Sequence, residues 1–442
     1  MTDLQSRRNR FRQLKEKGLK WALAPAALII LYIFFGIFGR NFFSYPTLVN
    51  IIDAAYYIGF IAIGVTFVII TGGIDLSVGT VMMCGAIIGG TAYRSWGVPM
   101  WASLALIVLV GLAFGVFNGL LVSRLKLPPF IVTLGTMMIS MGVGSIVSNV
   151  QSATFPTRAA AGGWFKNLFK IISDEGLTIP TGALLLLGVA LVSHFILNNT
   201  KMGRYIYAIG SNKEAARLSG VNVKRWEMMA YVVAGCCAGI GGIAYAAVYT
   251  TVLPAQGQGF ELYAIAGAVI GGTSLSGGVG TIFGTVIGVF IMSTLSIGLP
   301  AMDLQAHFQT FFTGVVVIGA VLLDMYRIRK SREVKIPTKA DRYREQARAE
   351  IGELQRELSS HRAAGEKAKC RELEARIRDR KTEVRKQYAG MKADEKARLT
   401  RMRAEERASE HELQELLRAR ERDAGSPRTS GKLPEGTASG EQ

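Results

Sequence analysis

The chain has 442 residues, half of them hydrophobic and 19% charged, with a formal net charge of +18. Such a balance would suggest a nucleic-acid partner in a soluble chain, but nearly all the apolar residues precede Tyr326, in runs of roughly 17 to 25 residues that can cross a hydrocarbon core of about 30 Å as helices. A polytopic membrane protein follows, and nucleic acid is not expected as a partner, because Lys and Arg gather in particular loops where the cytoplasmic bias of positive charge accounts for them.

The first 20 residues hold Arg7, Arg8, Arg10, Arg12, Lys15, Lys17 and Lys20 ahead of an apolar run. A secretory signal would show small residues for cleavage, and Gly39-Arg40-Asn41-Phe42 shows none, so this run reads as the first spanning helix. In chain order the spans fall near 21–38, 51–70, 77–93, 101–122, 129–148, 180–197, 228–250, 262–272, 281–299 and 308–326. With a cytoplasmic amino terminus, alternation puts four basic clusters inside: the amino terminus, Arg124 with Lys126, the loop from Lys201 to Arg225, and Arg327 to Lys330. An even number of spans keeps that agreement. The loops Asn149 to Ile179 and Thr251 to Glu261 then lie outside, and Phe155, Trp164 and Phe165 in the first suit either interfacial anchoring or a docking surface.

Glycines recur at spacing four, as in Gly111, Gly115 and Gly119 and again in Gly235 and Gly239, with Gly241 and Gly242 next to them, a pattern that lets helix backbones approach closely. Two glycine-rich breaks interrupt the apolar runs in similar ways: Val68 to Thr80, with Gly72, Gly73, Asp75 and Ser77, and Val269 to Thr281, with Gly271, Gly272, Ser274 and Ser276. They read as an internal repeat bordering a pathway, or as chance likeness among small residues. Asp75 is the one acidic residue between Asp53 and Asp174. It either caps a helix beginning near Leu76, aided by Ser77, or lines the pathway. The paired prolines Pro128 and Pro129 mark a helix start.

Between the sixth and seventh apolar runs lies a short polar stretch. Ser211 and Glu214 form a capping-box pattern, Ala215 and Ala216 favour helix, and Gly220 stands where a left-handed C-terminal cap belongs. The expectation is a helix from about Asn212 to Ser219, containing Lys213, Glu214, Ala215, Ala216, Arg217 and Leu218. It is either an ordinary inter-helix loop or a compact lever for another protein to push.

From Arg327 onward the chain is dense in helix-forming charged residues, with 31 basic and 22 acidic against 20 and 11 before it. Ile377, Val384 and Met391 keep a seven-residue step, while Gly365 and Gly390 interrupt, so a solvated helix or short hairpin is expected rather than a sustained coiled coil. Residues 424–442, rich in Gly, Ser, Pro and Thr, read as disordered. The domain reading is a basic cytoplasmic amino terminus (1–20), a transmembrane helical domain (21–327), a charged helical cytoplasmic tail (328–423) and the disordered end (424–442). The fold class is all-α, polytopic, with about ten transmembrane helices and a cytoplasmic helical extension.

Catalytic signatures are missing. Gly431-Lys432 lacks the rest of a phosphate loop, no HExxH or GxSxG motif occurs, and Cys84, Cys236, Cys237 and Cys370 form no CxxC pair. The four histidines are scattered. No catalytic residue, metal or cofactor is expected, and with few ionisable residues in the spans the driving energy is expected from another subunit.

The stretches Thr71 to Gly79, Pro129 to Thr136, Tyr207 to Ala216, Leu218 to Asn222 and Ile270 to Thr281 together resemble the permease subunits of bacterial ribose, galactose and xylose ABC importers. The ordered likeness spans about residues 50 to 327. It implies a homodimer of permeases in the cytoplasmic membrane, an ABC ATPase subunit below it, a periplasmic sugar-binding protein above it, and contact with membrane lipid. By this resemblance the Asn212 to Ser219 helix is the coupling helix to the ATPase, and both breaks border the translocation path. Relatives usually end soon after the last span, so the added tail is a departure, with bracing the ATPase, holding a second permease or binding anionic lipid as its possible roles. An ATP-independent channel or secondary carrier is the alternative to an importer.

Overall fold

A computed structural model of the chain describes residues 24–173, 176–332 and 339–424. The basic amino terminus and most of the Gly/Ser/Pro-rich end lie outside the described residues. Two compact units divide after Arg332.

The first unit is a helical bundle built around one helix. α1 (Ala24–Phe38) precedes α2 (Tyr45–Ile70), an apolar run with no polar stripe, and from Ala54 to Ile70 every α2 residue is buried. A helix hydrophobic on all sides has no face to give to solvent and so becomes the axis of a bundle. Around it stand α3 (Val78–Ser95), α4 (Met100–Ser123), α5 (Pro129–Val147), α6 (Gly182–Asn199), α7 (Lys201–Ser211), α8 (Lys213–Leu218), α9 (Val223–Tyr249), α10 (Phe260–Ile270), α11 (Ile282–Ala301) and α12 (Ala306–Arg332). Each of the ten apolar runs is helical. Among the described residues six helices are long and apolar enough to cross a membrane: α2, α4, α5, α6, α9 and α11. The outward faces of α4, α5 and α6 carry exposed Leu, Ile, Phe and Met, as suits helices bathed in acyl chains.

Glycine sets the closest packing. The stripe Gly111, Gly115 and Gly119 on α4 lies against Gly235, Gly239 and Met228 on α9, where a side-chain carbon on Gly235 would stand 2.2 Å from the Gly111 carbonyl oxygen. Gly267 and Gly271 of α10 interlock in the same manner with Gly284 and Gly288 of α11. Lipid gives no hydrophobic drive for helices to associate, so this backbone proximity supplies the dispersion contact instead.

Between α5 and α6 the chain folds into a small cap rather than an interfacial strand of anchors. β1 (Ala153–Thr154) pairs antiparallel with β4 (Thr251–Val252), and β2 (Ile171–Ile172) with β3 (Thr178–Ile179). Phe155 and Phe165 are buried with ring centroids 5.8 Å apart, leaving Trp164 alone of the three aromatics exposed. Lys170 pairs with Asp53 of α2, and the Lys166 ammonium donates to Thr250 Oγ1 at 2.8 Å. Burial, with Arg158 adding repulsion, pushes the Lys166 amine below the ordinary lysine value.

The second unit is a helical hairpin of α13 (Lys339–Ala363) and α14 (Lys367–Ala424). Gly365, at φ +74°, makes the turn, whereas Gly390 lies inside continuous helix and does not interrupt it. Arg380 bonds Glu350 at 2.7 Å, Arg362 bonds Glu374 at 2.9 Å, and the Arg344 guanidinium lies 4.7 Å from the centre of the Tyr388 ring, which fixes the helices antiparallel. Among its described residues Ala340, Ala347, Leu373, Ile377 and Val384 are buried.

Because Gly235 faces backbone and Gly188 of α6 faces open space, Gly235→Val is expected to destabilise the bundle by about 1–3 kcal/mol or more, while Gly188→Val leaves it intact. Thermal unfolding of the two purified variants in detergent checks this.

Candidate functional site

α8 owes its shape to its two ends. Asn212, in extended conformation, accepts a hydrogen bond from the Ala215 amide at 2.9 Å through its side chain and is the N-cap. The capping-box expectation for Ser211 and Glu214 is therefore displaced by one residue. Ser211 is the last residue of α7, a separate amphipathic helix that the reading of this stretch as a single loop missed, and Glu214 pairs with Arg217 instead. At the far end the Gly220 amide bonds the Arg217 carbonyl and the Val221 amide bonds the Ala216 carbonyl, with Gly220 at φ +81°. This is a Schellman cap, the arrangement Gly220 was expected to provide.

The helix is anchored yet almost wholly open. Ala216 is buried in a small cluster with Ile209 of α7 and Val223 of α9, whereas Lys213, Glu214, Ala215, Arg217, Leu218, Ser219 and Gly220 are exposed. Leu218 is 79% exposed, a large apolar side chain at the tip of a polar helix. Lys213 reaches back to the buried Glu227 of α9 at 2.8 and 3.1 Å. Its caps, Ala216 and this ion pair fasten α8 to α7 and α9.

The two breaks share one local geometry. After α2, Gly72 (φ +84°) and Gly73 bond back to Ile69 and Val68; after α10, Gly272 (φ +97°) and Thr273 bond back to Val269 and Ala268. Each helix ends in the same left-handed cap. The breaks then diverge, α3 starting at Val78 and α11 at Ile282.

Three backbones meet where the first break begins and the second one ends. The Gly278 amide donates to the Ile70 carbonyl at 2.8 Å, and a side-chain carbon on Gly210, at the end of α7, would stand 1.8 Å from that same oxygen. The Tyr207 hydroxyl of α7 donates to the Gly280 carbonyl at 2.8 Å. The structure thus brings both breaks together, and onto the helix that carries α8. A cleft of about 720 Å³ beside them is lined by Gly72 and Gly73, by Pro128 and Pro129, and by Lys213, Glu214 and Arg217.

The candidate pathway residues fare differently from one another. Gly72, Gly272 and Ser276 are exposed. Gly73 is buried beneath the Tyr231 hydroxyl, and Gly271 is pressed on Gly284. Asp75 and Ser77 are buried. Asp75 Oδ1 accepts from the Ser77 amide at 2.9 Å and the Ser77 hydroxyl at 2.6 Å; Asn118 donates to Ser77 Oγ at 2.9 Å, and Thr136 donates to Asn118 Oδ1 at 2.6 Å. Asp75 thus braces the residue before α3 instead of capping a helix at Leu76. Ser274 is buried beside Asp324 of α12, whose carboxylate accepts from Ser274 Oγ at 3.4 Å and from the Leu275 amide at 3.1 Å. Thr136 and Gly210 entered the sequence reading only as members of motifs, and Asn118 and Asp324 escaped it, although a lone amide and a lone carboxylate inside apolar runs are signals in themselves. Among the described residues no cluster of metal-ligating side chains occurs.

Residues 47–321 match the family described as branched-chain amino acid transport system, permease component. The chain belongs to this permease family. Its relatives include the ribose import permease of Escherichia coli strain K12, 35% identical over 311 residues that cover 69% of this chain and 94% of that protein. The D-allose transport system permease of the same strain is 35% identical across 67% of this chain and 88% of its own length. The fructose import permease of Rhizobium meliloti is 35% identical across 70% and 87%. This permease is a multi-pass membrane transport component of the ABC importer class rather than an enzyme. The matched region holds α8 and both breaks; the α13–α14 hairpin lies beyond it.

Lys213→Ala leaves the Glu227 carboxylate buried without its cation, an expected loss of about 1–2 kcal/mol for a pair this exposed on the lysine side. Adding Glu227→Gln is expected to recover most of it, as a double-mutant cycle of detergent unfolding midpoints will register.

Proposed function

We propose that this permease imports a monosaccharide of the ribose, allose or fructose kind and that α8 is the coupling helix on which a separate ATPase pushes. The observation that carries this reading is the junction of Ile70, Gly210 and Gly278: a force on α8 reaches α7, and through α7 the ends of both glycine breaks, without crossing a flexible segment. Rigid-body displacement of packed helices is how such a push becomes alternating access. The sugar class follows from the names of the relatives, and ribose is named both among them and in the resemblance stated from the motifs.

In this reading all ten apolar helices serve as spans or half-spans, both ends of the chain lie in the cytoplasm with α8, and the cap of β1 to β3 faces the periplasm, where a sugar-binding protein delivers its cargo. The basic clusters near Arg124, along Lys201 to Arg225 and after Tyr326 support that orientation. Gly72, Gly73, Gly272 and Ser276 border the inner mouth of the path, and Asp75, Ser77, Gly271 and Ser274 set the shape of its walls. A pair of permeases encloses the path. The open face of α5, where Gly135 and Gly142 meet no neighbour and Ile131, Met138 and Ile146 are exposed, supports packing against a second copy. The hairpin of residues 339–424 is an accessory to this machinery.

Vesicles holding the permease, its ATPase and its binding protein provide the test. Gly210→Val or Gly220→Val is expected to lower ATP-driven ribose uptake by tenfold or more while membrane insertion is kept, and Glu214→Ala to weaken ATPase association. Uptake that persists without the ATPase would overturn the importer reading in favour of a channel or secondary carrier. A chain ending at Arg332 is expected to keep most of its uptake, measured in the same vesicles.

A further inference from the structure

Where α4 ends and α9 begins, the two helices part around a cleft of about 520 Å³ walled by Arg124, Asn222, Lys224, Arg225, Met228 and Met229. Its three cations are exposed, and none takes part in an ion pair among the described residues. The carboxylates near them in the chain are engaged elsewhere, Glu227 by Lys213 and Glu214 by Arg217. Three like charges around one cleft repel each other, and an anion between them would remove that cost.

The cleft has an apolar floor. Met228 and Met229 lie one turn into α9, and the half-buried Val232 and Cys236 continue that face. Together these four side chains make an apolar track along α9 that leads away from the three cations. Trp226, its ring centre 5.4 Å from the Arg225 guanidinium, marks the depth at which aromatic residues meet lipid headgroups.

We propose that this cleft binds an anionic phospholipid, the phosphate held by Arg124, Lys224 and Arg225 and one acyl chain lying along Met228, Met229, Val232 and Cys236. A charged mouth opening on an apolar track matches an amphiphile; a free anion would make no use of the track. Basic pockets between helices on the cytoplasmic side hold anionic headgroups by the same physics. The site is independent of the sugar carried, and loss of one leaves the other measurable.

The test uses the full-length protein, stripped of lipid and offered phosphatidylglycerol or phosphatidylcholine of identical chains, with retained lipid counted by native mass spectrometry. Wild type is expected to keep phosphatidylglycerol at least tenfold better, the Arg124→Gln/Lys224→Gln/Arg225→Gln variant to lose that preference, and an Arg124→Lys variant to keep it. Absence of any preference in the wild type overturns the proposal whatever the variants do. An unchanged preference in the triple variant, including one accompanied by lost ATPase binding, overturns it too, and so does displacement of the lipid by inorganic phosphate, which would make the cleft a site for free anions.

Discussion

The arrangement rests on one carbonyl oxygen. Ile70 O, at the end of the central helix, accepts the Gly278 amide of the second break and lies so close to Gly210 that no side chain could stand there. Gly277 and Gly278, both left-handed, turn the second break so that its backbone reaches this point. A carbonyl at a helix end has lost its helical partner and must find another, and in a membrane it finds no water to serve. Meeting that need with a backbone amide from a distant segment ties α2, α7 and the second break into one body. The geometry excludes every residue but glycine at the contact, so the tie is short and stiff.

The breaks survive inside an apolar bundle for a related reason. Irregular backbone is tolerated at membrane depth only where its polar groups are satisfied within the protein. The first break meets this with the chain of bonds from Asp75 through Ser77 and Asn118 to Thr136, which spans α3, α4 and α5. The second borrows Asp324 from α12. Asp75 and Asp324 are thus engaged as struts for unwound backbone, which fits a permease whose energy comes from an ATPase.

α8 belongs to this scheme as its exposed end. Its caps and Ala216 fix it to the bundle, while the rest of its surface, Leu218 included, faces outward. The coupling role proposed for α8 requires both properties: rigidity toward the bundle and an open surface on the other side. The α13–α14 hairpin is a separate compact unit, and the family match stops short of it. Its stability comes from a narrow strip of Ala, Leu, Ile and Val backed by ion pairs exposed enough that each contributes little.

The sequence by itself determined the positions of all ten apolar helices, because an apolar run in a polytopic chain has helix as its main stable form, and it determined the short capped helix, because Gly220 and its flanking residues act within one turn. Local rules were less precise at the start of α8, where Ser211 and Asn212 both qualify as caps and the end of α7 decided for Asn212. Tertiary structure alone decided that Gly271 packs on Gly284 while Gly272 caps, that Phe155 and Phe165 are core and Trp164 is surface, and that Asp75 bonds Ser77 beside Asn118 and Thr136. It also brought the two breaks against Gly210. Those outcomes depend on which distant backbone arrives at a given place, and hydropathy and spacing along the chain carry no record of that.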